Sequence, residues 1–316
     1  TLNNATNKYP SSVTFFEQRL VFAGTNDNPQ SIWFSKSAEL ENFTTGTNDT
    51  DAMVYTIASN KVNAIRFMSA QRSLLVGTVG GEFVVSASGT TQPITPTNVQ
   101  IQKQSSYGSA NVDAVQIENV TMFLQRAKRK IRELTYNLNI DQYQATDMTL
   151  LAEHISLNGI TEMAYQQEPD SILWCVRSDG TLLGFTYARA ESVTGWHRHI
   201  IGGSFGTGNA VVESVASIPT DSDEDEFFII VKRTINSVTR RYVEHITLFD
   251  YGTDQTDAFY VDSGLTYSGS AATTISGLDH LEDQEVTILA NGSTHANLLQ
   301  KHILVYLTLL YYKQCE

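Results

Sequence analysis

Two histidines in one short segment have the spacing of a metal-ligand pair. Trp196-His-Arg-His199 places His197 and His199 on the same face of a strand, because side chains alternate across a strand. Imidazole nitrogen is a common zinc ligand. The two cysteines, Cys175 and Cys315, add no zinc-ligand spacing. We therefore favour a solvent-facing strand beside a packed tryptophan, and we expect no metal and no cofactor.

Three other segments have the composition of known sites without their spacing. Asp221-Ser-Asp-Glu-Asp-Glu226 alternates carboxylates but lacks the glycine of a calcium loop. The glycine-rich run 202–208 does not open a helix after a strand, as a phosphate loop does, so it predicts a flexible loop between sheets. Ser178-Asp-Gly-Thr181 has the sequence of a hairpin turn. No nucleophile, base and orienting group come together, so we predict no catalytic residues and no enzyme.

Arg126-Ala-Lys-Arg-Lys-Ile-Arg132 is the one dense basic patch of an acidic chain. Such a run is most often a solvated turn. Here it caps a hairpin, where it could contact an acidic neighbouring subunit. We predict that charged residues of this turn and of the acidic segment serve subunit contacts or the charge of a lumen: Arg126, Lys128, Arg129, Lys130, Asp221, Asp223, Glu224, Asp225 and Glu226.

These segments are positioned by a repeated hairpin. Alternating apolar runs bounded by Asn, Asp, Gly and Pro predict hairpins at 20–35, 74–85 and 172–185, with weaker copies at 122–134 and 228–246. Their starts lie roughly 50 residues apart, which is the period of propeller blades. Another apolar strand precedes each hairpin. The pattern predicts an all-β chain, a β-propeller of about five or six antiparallel blades followed by a small β-barrel-like module.

The alternation also predicts which side chains are buried. One face of each blade's hairpin should supply the core: Leu20, Phe22, Leu74, Val76, Phe123, Leu173, Cys175, Ile229 and Val231.

Composition limits the classes of partner. The 316 residues carry 21 Lys and Arg against 34 Asp and Glu, a formal net charge of −13. Nucleic-acid-binding surfaces are usually basic, so this balance disfavours a chain that grips DNA or RNA. It is compatible with DNA that passes without being held. We expect no membrane-spanning segment, because the apolar stretch after residue 298 is too short and interrupted.

The run from Lys8 to Thr25, KYPSSVTFFEQRLVFAGT, is the most distinctive in the chain. It resembles the propeller of the tail nozzle family of short-tailed bacteriophages, also called tail tubular protein B-like proteins. The resemblance covers roughly residues 8–292. It continues through short matches in the same order: 28–35, 41–43, 58–65, 75–83, 94–97, 196–199 and 241–244.

The resemblance implies a structural protein of the virion, located in the short tail. Such nozzles form rings, expected to be hexamers, below the tail adaptor, and tail fibre or spike proteins dock on them. The genome leaves through the lumen without sequence-specific binding. Two alternatives of other classes stay open: a carbohydrate-binding or glycoside-hydrolysing propeller, and a protein-interaction scaffold. A glycosidase would need two carboxylates flanking one pocket, about 5–9.5 Å apart.

The sequence of the C-terminal part predicts a structure different from the propeller. We expect the propeller to occupy 1–249 and a linker with an incomplete barrel-like module to occupy 250–297. The run 275–292 resembles a small β-barrel module similar to the first catalytic cysteine half-domain of ubiquitin-activating enzymes. It contains no cysteine, so no ubiquitin chemistry follows. The tail 298–316 fits neither pattern. The chain begins at Thr1, and family members are longer, so we expect a segment of something longer.

Overall fold

A computed structural model describes most of the chain, and the chain divides into two compact units, Thr1–Gly159 and Ile160–Glu316. The described residues are 9–58, 63–89, 92–221, 224–246, 263–265, 267, 270, 274–282, 284–290 and 293–299. Within them the structure is built from antiparallel strands, and its helical content is confined to a single turn of 3-10 helix at Asp279–Leu281.

The first unit contains three four-stranded sheets, each formed by four consecutive strands paired in chain order. The first sheet comprises β1 Ser12–Phe16, β2 Arg19–Ala23, β3 Ser31–Phe34 and β4 Met53–Thr56. The second comprises β5 Ile65–Ala70, β6 Leu74–Thr78, β7 Gly81–Ala87 and β8 Val99–Ser105. The third comprises β9 Val115–Ile117, β10 Val120–Leu124, β11 Ile131–Asn137 and β12 Gln142–Asp147.

The second unit continues with the same topology. The fourth sheet comprises β13 Ile160–Gln166, β14 Ile172–Arg177, β15 Leu182–Ala188 and β16 Val193–His199. The fifth has three strands, β19 Val211–Ile218, β20 Glu226–Ile235 and β21 Val238–Ile246. Two short hairpins complete the described part, one of β17 Ser204–Phe205 and β18 Gly208–Asn209, the other of β22 Glu285–Ala290 and β23 Ser293–Leu299.

The central strand β6 of the second sheet is buried on both faces, because that sheet packs against the first sheet on one side and the third on the other. All five residues of β6 are buried. Leu74 and Val76 belong to the core shared with the first sheet, and Leu75 belongs to the core shared with the third. Phe67 and Phe123 join the second and third sheets, with ring centroids 5.8 Å apart. A sheet with two apolar faces requires a partner on each side, which stacking of blades supplies.

The same stacking occurs in the second unit. Trp174 of the fourth sheet stacks on Phe227 of the fifth, with centroids 4.7 Å apart. The core around this pair also includes Val176, Ile229 and Val231. Serial four-stranded meanders packed face to face are blades, so the fold is all-β and of the β-propeller type, as predicted. The five predicted hairpins correspond to β2–β3, β6–β7, β10–β11, β14–β15 and β20–β21.

Seven of the nine predicted core residues are buried: Leu74, Val76, Phe123, Leu173, Cys175, Ile229 and Val231. The prediction was wrong in the first sheet, where Leu20 and Phe22 are half-buried and the opposite face of β2 forms the core. That face carries Val21, Ala23 and a buried arginine, Arg19. Phe22 instead stacks on Phe43 of the loop before β4, with centroids 5.5 Å apart.

The glycine-rich run 202–208 also differs from the prediction. It forms the β17–β18 hairpin in place of a flexible loop. The hairpin is held at its base by a hydrogen bond from the N–H of Ala210 to the carbonyl of Gly203, 2.9 Å long. Gly203 has a φ of +99°, which the turn requires and which other residues rarely adopt.

The C-terminal part is described only in pieces. The 3-10 turn leads into the β22–β23 hairpin of the expected module, and the linker residues 250–262 and residues 300–316 of the tail lie outside the described residues. The predicted boundaries at 249 and 297 therefore stay predictions. The helical turn that the structure describes is far too short to span a membrane.

Cys175 provides a test of the strand register. It lies in the middle of β14 with no exposed surface, and burial raises the pKa of its thiol. Because thiolates are the reactive form, we expect Cys175 of a Cys315→Ser chain to resist thiol-modifying reagents until denaturant is added. Labelling kinetics followed by mass spectrometry measure this. Rapid labelling of the native chain would contradict the register of β13–β15.

Candidate functional site

The basic turn connects the two central strands of the third sheet. β10 ends at Leu124 and β11 begins at Ile131. The N–H of Gln125 donates to the carbonyl of Lys130 at 2.8 Å, and the N–H of Lys128 donates to that of Gln125 at 2.7 Å. Lys128 has a φ of +63°, which closes the turn. The turn is thus compact and ordered by its own backbone.

Two cations of the basic run are held by the protein itself. Lys130 Nζ lies 2.8 Å from Asp147 Oδ2 and 2.9 Å from Glu153 Oε1, and hydrogen bonds to these carboxylates raise the pKa of Lys130. Arg132 is buried, donates to Gln125 Oε1 at 2.8 Å, and places its guanidinium 3.4 Å from the centroid of the Tyr107 ring. These two side chains stabilise the turn.

The other three cations, Arg126, Lys128 and Arg129, are exposed. None of them forms an ion pair with another residue of the described part of the chain. Their charge is therefore available to an anionic partner. Of the four residues of the basic run predicted to form an interface, these three have no ion-pair partner within the described residues, and Lys130 has two.

An apolar loop lies against the turn. Ser156 Oγ donates to the carbonyl of Arg129 at 2.6 Å, which ties the loop 149–159 to the basic turn. This loop exposes Leu150 (64%), Leu151 (97%) and Leu157 (57%). We call Arg126, Lys128, Arg129 and these three leucines the basic–leucine surface. Exposed apolar side chains grouped with charges are typical of protein-binding surfaces. The leucines have no strand periodicity, so sequence analysis did not identify them.

The acidic segment is partly bound within the protein. Asp225 Oδ2 accepts the backbone N–H groups of Gln167 (2.8 Å) and Glu168 (3.2 Å), so it joins the fourth and fifth sheets. Burial, followed by repulsion from Glu226, raises the pKa of Glu224. Asp221 is exposed, and Asp223 lies outside the described residues. The described residues contain no group of three metal-ligating side chains, here or elsewhere.

The two histidines of β16 lie on the opposite face from Trp196, which stacks on Phe185 at 4.6 Å as a packed tryptophan. We predicted that these histidines face solvent, but both are half-buried against Trp174. Nδ1 of His197 lies 2.8 Å from Nε2 of His199. The structure therefore brings the two imidazoles into direct contact.

A buried ionic cluster lies in the second unit. Arg233 is fully buried and forms a bidentate ion pair with Glu244 across β20 and β21. Arg233 Nε also donates to the carbonyl of Gly202 at 2.8 Å. His280 of the 3-10 turn lies nearby, and burial, together with repulsion from Arg233, lowers its pKa to about 4. The cluster connects the fifth sheet to the C-terminal segment.

Glu82 is a buried carboxylate of the first unit. Burial raises its pKa, although hydrogen bonds from Ser105 and Ser109 oppose the shift. Ser109 Oγ donates to Glu82 Oε1 at 2.8 Å. The side chain is only 1% exposed, so a substrate cannot reach it. We interpret this group as a structural link between the second sheet and the chain that enters the third.

Comparisons with known proteins identify similar folds only. No family model matches the chain, and no curated protein matches it. An auxiliary nutrient binding protein from Bacteroides thetaiotaomicron is similar at 10% identity and a TM-score of 0.40, over 75% of this chain and 55% of that one. The β-propeller domain of Cps50 (Swd1) from Myceliophteria thermophila is similar at 7% identity and a TM-score of 0.45, over 75% and 70%. The chain thus spans little more than half of the nutrient binding protein, and at these values neither likeness carries an argument about function.

Proposed function

We propose that this chain is a non-enzymatic structural subunit of a short bacteriophage tail, a nozzle-type protein that assembles into a ring. The resemblance of residues 8–292 to the nozzle family motivates the proposal. The structural observation that supports the proposal is the basic–leucine surface, which has both exposed cations and exposed apolar side chains. A ring subunit needs such a surface on its flank, where identical copies form heterologous contacts.

Charge complementarity favours another copy of the chain as the partner. The chain carries 34 Asp and Glu against 21 Lys and Arg, so another copy offers carboxylates with which the three exposed cations can pair. The exposed leucines add apolar area that a partner would bury. The same negative charge suits a lumen for DNA, because an acidic wall repels phosphate and does not retain the departing genome.

Charge reversal of the three exposed cations tests the proposal. We expect Arg126→Glu/Lys128→Glu/Arg129→Glu to weaken ring assembly about tenfold or more while leaving the isolated chain folded. Light scattering after size exclusion measures the oligomer, and circular dichroism measures the fold. Assembly of the unchanged chain should also weaken as salt is raised, because exposed charges are screened.

Exposed cations elsewhere provide the matched control. Arg72→Glu/Lys103→Glu/Arg240→Glu changes the net charge by the same amount at the second and fifth sheets and should leave assembly unchanged. Equal loss with this variant would mean that net charge alone matters. Assembly that is unaffected by the triple change, or a purified chain that hydrolyses glycans, would contradict the proposed function.

A further inference from the structure

We propose that His197 and His199 form a binding site for a divalent transition-metal ion that prefers tetragonal coordination, with Cu²⁺ as the ion to test. This site is separate from the basic–leucine surface and does not depend on the proposed function. It rests on the geometry of β16 and its neighbours in the fourth sheet.

The separation of the two ring nitrogens fits this coordination. Nδ1 of His197 and Nε2 of His199 are 2.8 Å apart. Two nitrogens at about 2.0 Å from one metal ion and at a right angle to each other are about 2.8 Å apart, whereas tetrahedral zinc would place them farther apart. An ion can replace the shared proton after the rings pivot to direct both lone pairs at it. The spacing is that of a hydrogen bond between the rings and also fits Cu²⁺ or Ni²⁺, and of the first-row divalent ions Cu²⁺ binds nitrogen ligands most tightly.

The sheet keeps the two rings next to each other. Gly184 pairs with His197 on the neighbouring strand, and a Cβ at Gly184 would lie 2.0 Å from Cε1 of His197. Only glycine therefore leaves space for this ring. Trp174 packs against both imidazoles, with centroid distances of 5.8 Å to His197 and 5.2 Å to His199. Two ligands that already lie side by side need only rotate their rings to bind one ion, so they lose less entropy than ligands brought together from apart.

Thr186 supplies the outer hydrogen bond that metal-bound histidines commonly have. Its Oγ1 lies 3.3 Å from Nε2 of His197. If the hydroxyl accepts the N–H at Nε2, the lone pair is left on Nδ1, which is the nitrogen that faces His199. The arrangement thus assigns Nδ1 of His197 and Nε2 of His199 as the two ligands.

We assign the remaining ligand positions to water. Both histidines are half-buried and lie on β16, the last strand of its sheet, so solvent reaches one side of the pair. The described residues offer no third His, Cys, Asp or Glu to complete a cluster. With two imidazole ligands and the other positions taken by water, we expect a dissociation constant in the micromolar range. A site in which the protein supplies every ligand binds more tightly.

The experiment is a titration of the full chain, prepared without a histidine tag, with Cu²⁺. We expect one ion per chain, quenching of tryptophan fluorescence because Trp174 lies beside the site, and electron paramagnetic resonance with coupling to two nitrogens. His197→Ala and His199→Ala should each weaken binding at least about tenfold, and Thr186→Val about tenfold. Ca²⁺ and Mg²⁺ should not compete, because they prefer oxygen ligands.

His154→Ala is the matched control, because His154 is exposed and lies in the first unit. It should leave the affinity unchanged, and circular dichroism should show that all four variants are folded. The valine variant keeps the shape of the threonine, so it tests the site even where a histidine variant is unstable. Unchanged affinity in both histidine variants and in Thr186→Val, or equal loss in His154→Ala, would overturn the proposal.

Discussion

Replacement of Glu244 by alanine is expected to lower the free energy of unfolding of the second unit by about 3–5 kcal/mol. The change leaves the guanidinium of Arg233, which has no exposed surface, without its carboxylate. Among the described hydrogen bonds of Arg233, the one to the carbonyl of Gly202 then remains. A buried charge without a counter-ion costs far more than the loss of one hydrogen bond.

The double variant Arg233→Met/Glu244→Leu separates the cost of an unpaired charge from the loss of packing. It removes both charges and keeps apolar volume, so we expect it to be at least about 2 kcal/mol more stable than Glu244→Ala. Urea unfolding monitored by tryptophan fluorescence is suitable, because Trp174 and Trp196 both lie in the second unit. A double variant as unstable as the single one would show that the pair matters through its shape alone.

The prediction of blades succeeded because period-two alternation and turn residues are local signals. The hairpin at 172–185, for example, corresponds to β14 and β15, joined through an Asp-Gly turn in which Gly180 has a φ of +85°. Pairing of neighbouring strands follows from such turns alone. The stacking of sheets follows from the apolar faces that each hairpin leaves uncovered.

The contacts of the candidate sites could not be predicted in this way, because they join residues that are distant in sequence. Arg233 meets Gly202 and the neighbourhood of His280 through three separate segments. His197 owes its position to Gly184 on another strand. The exposed leucines beside Arg129 lie in an irregular loop, and no periodic pattern marks such residues.

The error in the first sheet has a specific physical cause. Leu20 and Phe22 are larger and more apolar than Val21 and Ala23, and Arg19 on the opposite face argues against burial of that face. Alternation identifies two faces but not which of them is covered. The structure buries the face with arginine because backbone carbonyls surround the guanidinium. A sequence pattern does not record acceptors that come from a loop some thirty residues later.

Arg19 should accordingly be a major determinant of stability in the first unit. Its Nη1 donates to the carbonyls of Ser35 and Asp51, both at 2.7 Å, and its Nη2 donates to that of Asp49 at 2.7 Å. Burial lowers the pKa of Arg19, although Glu17 and Asp51 oppose the shift. These bonds tie β2 to the loop that precedes β4.

We expect Arg19→Met to destabilise the first unit by about 3 kcal/mol or more, because three carbonyls lose their donor at once while the apolar stem is retained. Arg19→Lys should be intermediate, since an ammonium group cannot reach all three acceptors in the same fork. Arg72→Met is the control, because Arg72 is exposed and its loss should change stability by less than about 0.5 kcal/mol.

Hydrogen exchange locates the effect within the chain. The N–H of Ser37 donates to the carbonyl of Thr50 at 2.9 Å, so its protection reports whether the loop is docked. In Arg19→Met this amide should exchange faster than the amides of β6, which lie in the core of the next sheet. Loss of stability with unchanged protection at Ser37 would contradict the role of Arg19 as the anchor of the loop.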